Sequence, residues 1–156
     1  MRVQTTLQWK PQRASCRRAL DEFLRTVVEH LSADMGTIHL IDERDGLLHL
    51  RAAVGTIPEE VRKLIEVIPV GKGIAGQAAE QRKPVSICNI QQDTSGVTRP
   101  GAKIIGTQGA LCVPLIARKR LVGTLGIGCN RERTFTEEET KRLMKHARQL
   151  AKALSL

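Results

Sequence analysis

A glycine-rich segment near the middle of the chain constrains the fold more than any other feature. Residues 70–79 read Val-Gly-Lys-Gly-Ile-Ala-Gly-Gln-Ala-Ala. The glycines permit a sharp turn into a short helix, which we predict at residues 74–80. A strand at Val85, a polar loop at 91–109 and a hairpin at 111–127 follow, and the first strand of the hairpin carries a proline. This half of the chain therefore combines one short helix with antiparallel strands.

Both ends of the chain show the apolar spacing of helices that bury one face. The two seams alternate steps of four and three residues, a rhythm that suits helix-on-helix packing. They consist of Leu20, Leu24, Val27 and Leu31 in the first helix and Leu143, Ala147, Leu150 and Leu154 in the last. Thr136 and Glu139, three residues apart, predict a capping box where the last helix begins.

Two strands and a short helix are predicted between the first helix and the glycine-rich segment. The strands at 35–42 and 47–55 flank Asp45-Gly46, a pair typical of tight hairpin turns. Pro58 and the two acidic residues after it favour a short helix at 58–65. Alternation in the second strand predicts a common face for Leu48, Leu50, Ala52 and Val54.

Length and composition indicate a single aliphatic domain. The 156 residues suit one domain at 16–156, preceded by an N-terminal extension at 1–15. Aromatic residues make up 2% of the chain, so few side chains are suited to stacking on nucleic-acid bases. The sequence shows no secretion signal and no apolar stretch of membrane-spanning length, which predicts a cytoplasmic protein without a membrane partner. The cysteines lack metal-ligand spacing and are predicted to be reduced, buried thiols: Cys16, Cys88, Cys112 and Cys129.

The chain is strongly basic, with a formal net charge of +9. Most of the excess lies in the C-terminal third, at Arg118-Lys119-Arg120 and along the last helix, where we expect His146 to face solvent. Such a surface either aids solubility or binds nucleic acid. Because we find no helix-turn-helix pattern, no aromatic-bearing strand and no basic run longer than three residues, we favour a solvated surface.

A glycine motif and a pair of histidines could each indicate a binding site, but each also has a purely structural interpretation. Residues 71–76 match G-x-G-x-x-G, but a dinucleotide site also needs a preceding parallel strand and an acidic residue about 20 positions later. Neither is found, so we interpret the glycines as turn residues. His39 and His49 lie on adjacent predicted strands, and two histidines alone indicate a polar pair or exposed residues rather than a metal site.

The order of these motifs resembles that of the GAF family, from about residue 19 to residue 154. The motifs are the glycine-rich turn, Lys83-Pro84-Val85, Leu111-Cys112-Val113-Pro114-Leu115 and residues 121–127. The resemblance implies an α/β (α+β) fold with a central antiparallel sheet of five or six strands. Terminal helices would cover one face, and a pocket lidded by residues 91–109 would occupy the other. The resemblance also implies a homodimer formed through the terminal helices.

In such a fold the pocket lies between a sheet face, the helix at 74–80 and the lid. Thr124, Gly126 and Gly128 are small and share one face, which leaves room for close packing or for a bound molecule. Arg99 and Lys103 suit a lid that closes over a carboxylate or phosphate, although they also suit a solvated loop. The candidate ligand-binding residues are Cys88, Arg99, Lys103, Thr107, Cys112, Thr124 and Gly126.

The resemblance implies a non-catalytic sensory or regulatory module that binds an unidentified small molecule and signals through its terminal helices. Such a module would pass its signal to a partner protein. No cofactor is indicated, and the signatures of cyclic-nucleotide-binding and bilin-binding members are missing. One alternative is a redox enzyme similar to the free methionine sulfoxide reductases with a degenerate cysteine set, in which Cys88 near Arg99 is the best remaining arrangement. A basic, nucleic-acid-associated dimer module is the other.

Overall fold

The computed structural model describes residues 16–89 and 108–155, which form a curled sheet and four helices. The helices are α1 (Cys16–His30), α2 (Glu59–Ile65), α3 (Gly73–Gln81) and α4 (Glu137–Leu154). The strands are β1 (Met35–Ile41), β2 (Leu48–Val54), β3 (Val67–Ile68), β4 (Val85–Ile87), β5 (Gly109–Ala117) and β6 (Arg120–Cys129). Nearly all of the predicted lid lies outside the described residues, as do Arg99, Lys103 and Thr107.

The sheet has the strand order β3-β2-β1-β6-β5-β4, and every neighbouring pair is antiparallel. This confirms the predicted antiparallel sheet of five or six strands, and the number is six. The predicted turn between β1 and β2 is closed by Gly46, whose amide donates to the Asp42 carbonyl at 2.7 Å. Gly46 has a φ of 72°, which glycine adopts without steric cost.

Helices α1 and α4 pack on one face of the sheet and supply most of the core. The predicted seams are buried there with inward-facing residues of β5 and β6: Leu24, Val27, Leu143, Ala147, Val113 and Leu125, each 0% exposed. The seams therefore stabilise the chain's own core, and a dimer formed through these helices would have to use other faces. None of the helices within 16–89 and 108–155 has the length and apolar character of a membrane span.

A bulge in the β1–β2 pairing overturns the prediction that β2 presents one apolar face. Ile38 pairs with Ala52, but the next residue, His39, pairs with Leu50, so β2 carries one extra residue at this point. Because successive strand residues point to opposite faces, the extra residue reverses the alternation. Ala52 accordingly lies in the core beneath the terminal helices, whereas Leu48 belongs to a small cluster containing Ile68 and α3 residues.

The prediction that His146 faces solvent is wrong. The residue lies within one turn of two seam positions, is 7% exposed and meets the ring of Phe23 edge-on, with centroids 6.1 Å apart. Its Nε2 lies 3.4 Å from Nδ1 of His30. Burial, assisted by the positive charge of Lys145 and Arg142 and by His30, lowers the pKa of His146 to about 4. The imidazole is therefore neutral at pH 7.

The glycine-rich turn before α3 closes on itself. Gly71 and Gly73 have φ values of 94° and 68°, and a Cβ on Gly76 would lie 2.6 Å from the Pro69 carbonyl oxygen. The Gly71 amide donates to the Gly76 carbonyl, and the Gly76 amide donates to the carbonyl of Lys72. Because these amides have partners within the turn, the geometry supports a structural role for the glycines.

The predicted capping box at α4 is confirmed. The Thr136 hydroxyl accepts from the Glu139 amide at 3.0 Å, and the Glu139 carboxylate accepts from the Thr136 amide at 2.8 Å. Thr136→Ala should therefore lower the free energy of unfolding by about 1 kcal/mol, measured by urea denaturation. Thr56→Ala is the matched control, because Thr56 is exposed and outside the helices. Equal stability of the two variants would contradict the importance of the cap.

Candidate functional site

The sheet face opposite α1 and α4 brings three of the predicted site residues together. Cys112 pairs with Gly126, which in turn pairs with Thr37, while Thr124 pairs with His39. Directly paired residues share a face of the sheet, and positions two apart along a strand do too. These five residues, from β1, β5 and β6, therefore form one surface, which we call the polar floor.

His39 is a deeply buried polar residue of the floor, at 2% exposed. Its Nε2 lies 2.8 Å from the carbonyl oxygen of Ile65, at the end of α2. Burial lowers the pKa of His39 to about 4, although the hydrogen bond to Ile65 opposes the shift. The ring is therefore neutral at pH 7. Its Nδ1 is closed off from solvent and has no hydrogen-bond partner within the described part of the chain.

Thr124 supplies a second such atom on the same surface. The residue is 1% exposed, and its Oγ1 has no hydrogen-bond partner among the described residues. The hydroxyl lies close enough to the Cys112 thiol to oppose the rise in the pKa of that thiol. No hydrogen bond of ordinary geometry joins the two groups, however. Because the great majority of buried polar atoms in proteins have partners, two orphans on adjacent strands call for a specific explanation.

Cys112 is a poor candidate for a nucleophile. The residue is 4% exposed, and burial raises the pKa of its thiol to about 12 despite the nearby Thr124 hydroxyl. Reactivity requires the thiolate, which is almost unpopulated at pH 7 under these conditions. Cys112 therefore acts as a small, neutral part of the floor.

Gly126 leaves space above the floor. A Cβ placed on it would meet the Thr37 hydroxyl at 3.3 Å and the Cys112 sulfur at 3.5 Å, and both atoms belong to the floor itself. By contrast, a Cβ on Gly123 would fall on the backbone carbonyl oxygen of His39. The two glycines of β6 thus differ in role, since Gly123 permits close strand packing and Gly126 faces a more open position.

Cys88 stands apart from the floor, and the prediction that it is buried is wrong. It follows the end of β4 and is exposed, with its thiol accepting from the Thr134 hydroxyl at 3.4 Å. Its carbonyl accepts from the Arg133 amide, which places Cys88 beside the segment leading into α4. Cys88, Cys112 and Cys129 are free thiols in the described chain.

The other end of β6 is joined to both terminal helices by Arg133, which sequence reasoning missed. Its guanidinium donates to the carbonyl oxygens of Leu31 and Ser32, just after α1, at 2.7 and 3.0 Å. It also donates to Glu139 in the first turn of α4 at 2.6 Å and lies 4.4 Å above the ring of Phe135. We call this arrangement the Arg133 clamp.

His39 and Thr37 are floor residues that the sequence did not single out as ligand contacts. His39 and His49 do not form the polar pair that was one of the predicted readings, because His49 binds Asp45 at 2.8 Å instead. The described residues contain no cluster of three or more His, Cys, Asp or Glu side chains that could hold a metal ion. The floor is therefore a surface of neutral polar and small groups.

Comparison with known proteins agrees with this architecture. A family model for the GAF domain matches residues 14–155. The nitrogen fixation protein AnfA of Azotobacter vinelandii is 27% identical over 109 residues, a match covering 69% of this chain. The aligned region is 20% of AnfA, so the chain spans about a fifth of that relative's length.

Solved structures show the same fold at low sequence identity. The GAF domain of an Acinetobacter phosphoenolpyruvate-protein phosphotransferase has a TM-score of 0.76 at 22% identity, covering 98% of this chain and 90% of that one. A free methionine-R-sulfoxide reductase from Neisseria meningitidis has a TM-score of 0.77 at 19% identity, covering 98% and 84%. The family match over residues 14–155, together with the six-stranded sheet, establishes that the chain belongs to the GAF domain family.

Proposed function

We propose that this GAF domain is a non-catalytic regulatory module that binds a small molecule over the polar floor. The observation that carries the proposal is the pair of unpartnered, fully buried atoms, Nδ1 of His39 and Oγ1 of Thr124. A buried polar group without a partner costs roughly 1–3 kcal/mol, and a bound molecule that supplies the missing hydrogen bonds recovers that cost. Gly126 also supports the proposal. It lies two residues from Thr124 on β6 and has no side chain that would cover the floor at this position.

We propose that occupancy reaches the terminal helices through β6. The strand alternates between the two faces: Thr124 and Gly126 belong to the floor, whereas Leu125 and Ile127 are buried beneath α1 and α4. A displacement of β6 on the ligand side therefore changes packing on the helical side. Beyond the strand, the Arg133 clamp holds the end of α1 and the start of α4 together.

The exposed face of α4 is the surface we propose for a partner protein. Residues 140–155 contain no acidic residue, and five exposed cations face solvent: Lys141, Arg142, Lys145, Arg148 and Lys152. Two copies joined through this face would place like charges together, which opposes association, so we propose an acidic partner surface.

The homodimer stays a prediction and would need another face, such as that of α1. Analytical ultracentrifugation tests this, because a dimer strengthened by salt would indicate α4-to-α4 pairing instead.

The redox alternative lacks a reactive thiol at the floor. Cys112 is the floor's cysteine, and its raised pKa opposes thiolate chemistry. Cys88 is exposed but lies beside Arg133 and Thr134 rather than on the floor. An assay of free methionine sulfoxide reduction discriminates the two functions, since turnover that disappears in Cys88→Ser would favour the enzyme.

Gly126→Val tests the location of the site. The side chain would project over the floor, so we expect every ligand found by thermal shift in a metabolite panel to bind at least about tenfold more weakly. Valine suits a strand, and the variant should keep a cooperative thermal transition. Ser86→Val is the control, because Ser86 is exposed on β4 and pairs with Leu111, which lies on the helical side of the sheet. Undiminished binding by Gly126→Val would place the ligand elsewhere.

A further inference from the structure

The hydrogen bond between His39 and Ile65 fixes what the floor requires from a ligand. The partner of Nε2 is a carbonyl oxygen, which only accepts, so Nε2 carries the proton and donates at 2.8 Å. In the neutral ring Nδ1 is then unprotonated and acts as an acceptor. A partner for Nδ1 must therefore bring an N–H or O–H group.

Thr124 adds the complementary requirement. Its hydroxyl carries one proton to donate and has no acceptor in the described chain, and it lies directly across from His39 in the β1–β6 pairing. Side chains paired in this way have Cβ atoms about 4.5–5.5 Å apart. One small group with a donor beside an acceptor could therefore reach both atoms at once.

The floor offers no compensation for a charge. Its five residues contain no carboxylate, ammonium or guanidinium, the His39 ring is neutral at pH 7, and the Cys112 thiol is protonated. Burying an ionised group without a counter-charge costs far more than burying a neutral one that is hydrogen-bonded. The ligand atoms that contact the floor should consequently be neutral.

We propose that the floor recognises an uncharged group with adjacent hydrogen-bond donor and acceptor, the chemistry of a primary amide, a urea or a lactam-type heterocycle. The N–H of this group donates to Nδ1 of His39, and its carbonyl oxygen accepts from the Thr124 hydroxyl. This inference rests on the proposed binding function and narrows its ligand class. It leaves the rest of the ligand undefined.

Matched amide and carboxylate pairs test the proposal. Benzamide against benzoate and nicotinamide against nicotinate differ in charge and donor capacity but little in shape. Titration of the ¹⁵N-labelled chain, followed by NMR, should show the amides binding at least about tenfold more tightly than the acids, with shifts at His39 and Thr124. Equal or tighter binding of the acids at these residues would overturn the ligand class while leaving the proposed function standing. If neither member of either pair shifts these residues, both proposals are contradicted.

Thr124→Val distinguishes a ligand-binding role of the Thr124 hydroxyl from a purely structural one. Valine keeps the branched shape and removes the orphan hydroxyl, so we expect the variant to be at least as stable as the wild type. Amide binding should nevertheless weaken about fivefold to thirtyfold, as expected for the loss of one hydrogen bond. Thr134→Val, outside the floor, is the matched control and should bind as the wild type does. Unchanged amide binding by Thr124→Val would overturn the donor role of its hydroxyl.

Discussion

Arg133→Ala should lower the free energy of unfolding by about 3 kcal/mol, because it removes a largely buried charge that serves both terminal helices. The Arg133 side chain is 11% exposed, and its guanidinium donates to Leu31, Ser32 and Glu139. Its loss leaves two carbonyl oxygens after α1 without this donor and deprives Glu139 of its ion-pair partner. For a domain of this size, a change of 3 kcal/mol corresponds to a fall in melting temperature of roughly 6–12 °C.

Arg131→Ala is the matched control for the clamp. Arg131 lies two residues earlier and is exposed, so its truncation should change the free energy of unfolding by no more than about 0.5 kcal/mol. Urea denaturation of the two variants, analysed with a common slope, separates the effects. If Arg133→Ala were as stable as Arg131→Ala, the clamp would not be what joins β6 to the helices.

Acidification from pH 6.5 towards pH 4 should destabilise the fold through two buried histidines. His39 and His146 each have a folded-state pKa of about 4, against 6.5 for a solvated histidine, which we take as the value in the unfolded chain. In this window the unfolded chain binds protons that the folded chain rejects, so the stability present above pH 6.5 is lost as the pH falls. Each histidine contributes at most roughly 3 kcal/mol to this loss. Guanidinium denaturation at half-unit pH steps measures it.

His146→Leu isolates one of the two contributions. Leucine fills the space beside Phe23 without titrating, so the loss of stability between pH 6.5 and pH 4.5 should be about half that of the wild type. The carboxyl groups of Asp42, Asp45 and Glu139 have pKa values below their usual range, so their contributions are lost at lower pH. The same pH dependence in the wild type and the variant would show that His146 is not a buried neutral base.

The sequence was sufficient for features set by local chemistry. The glycine turn before α3, the Thr136 capping box and both helical seams depend on residues close together in the chain. The seams also show the limit of periodicity, because the same spacing suits a dimer interface and an intramolecular core. Burial of Leu143 and Ala147 shows that the seams serve the intramolecular core, while the homodimer stays a prediction.

Features set by distant contacts could not be predicted. The bulge opposite His39 reverses the faces of β2. The alternation of apolar residues in β2 gives no sign that the strand carries an extra residue at this point. Arg133 binds carbonyl groups about a hundred positions earlier in the chain, so its local sequence resembles that of a solvated cation. The pairing of His39 with Thr124 likewise depends on strand register.

Part of the candidate site could be predicted from alternation along the strands. Cys112, Thr124 and Gly126 were predicted to line a pocket, and the structure places all three on the floor.

The most direct test of the binding claim is the ¹⁵N NMR spectrum of the His39 ring at pH 7, recorded with and without benzamide. We predict a neutral ring protonated at Nε2, whose Nδ1 resonance moves saturably as the amide donates to it. In Gly126→Val the same resonance should stay in place at the same benzamide concentration. A ring protonated at Nδ1, or an Nδ1 resonance that responds to neither benzamide nor benzoate in the wild-type domain, would contradict the account.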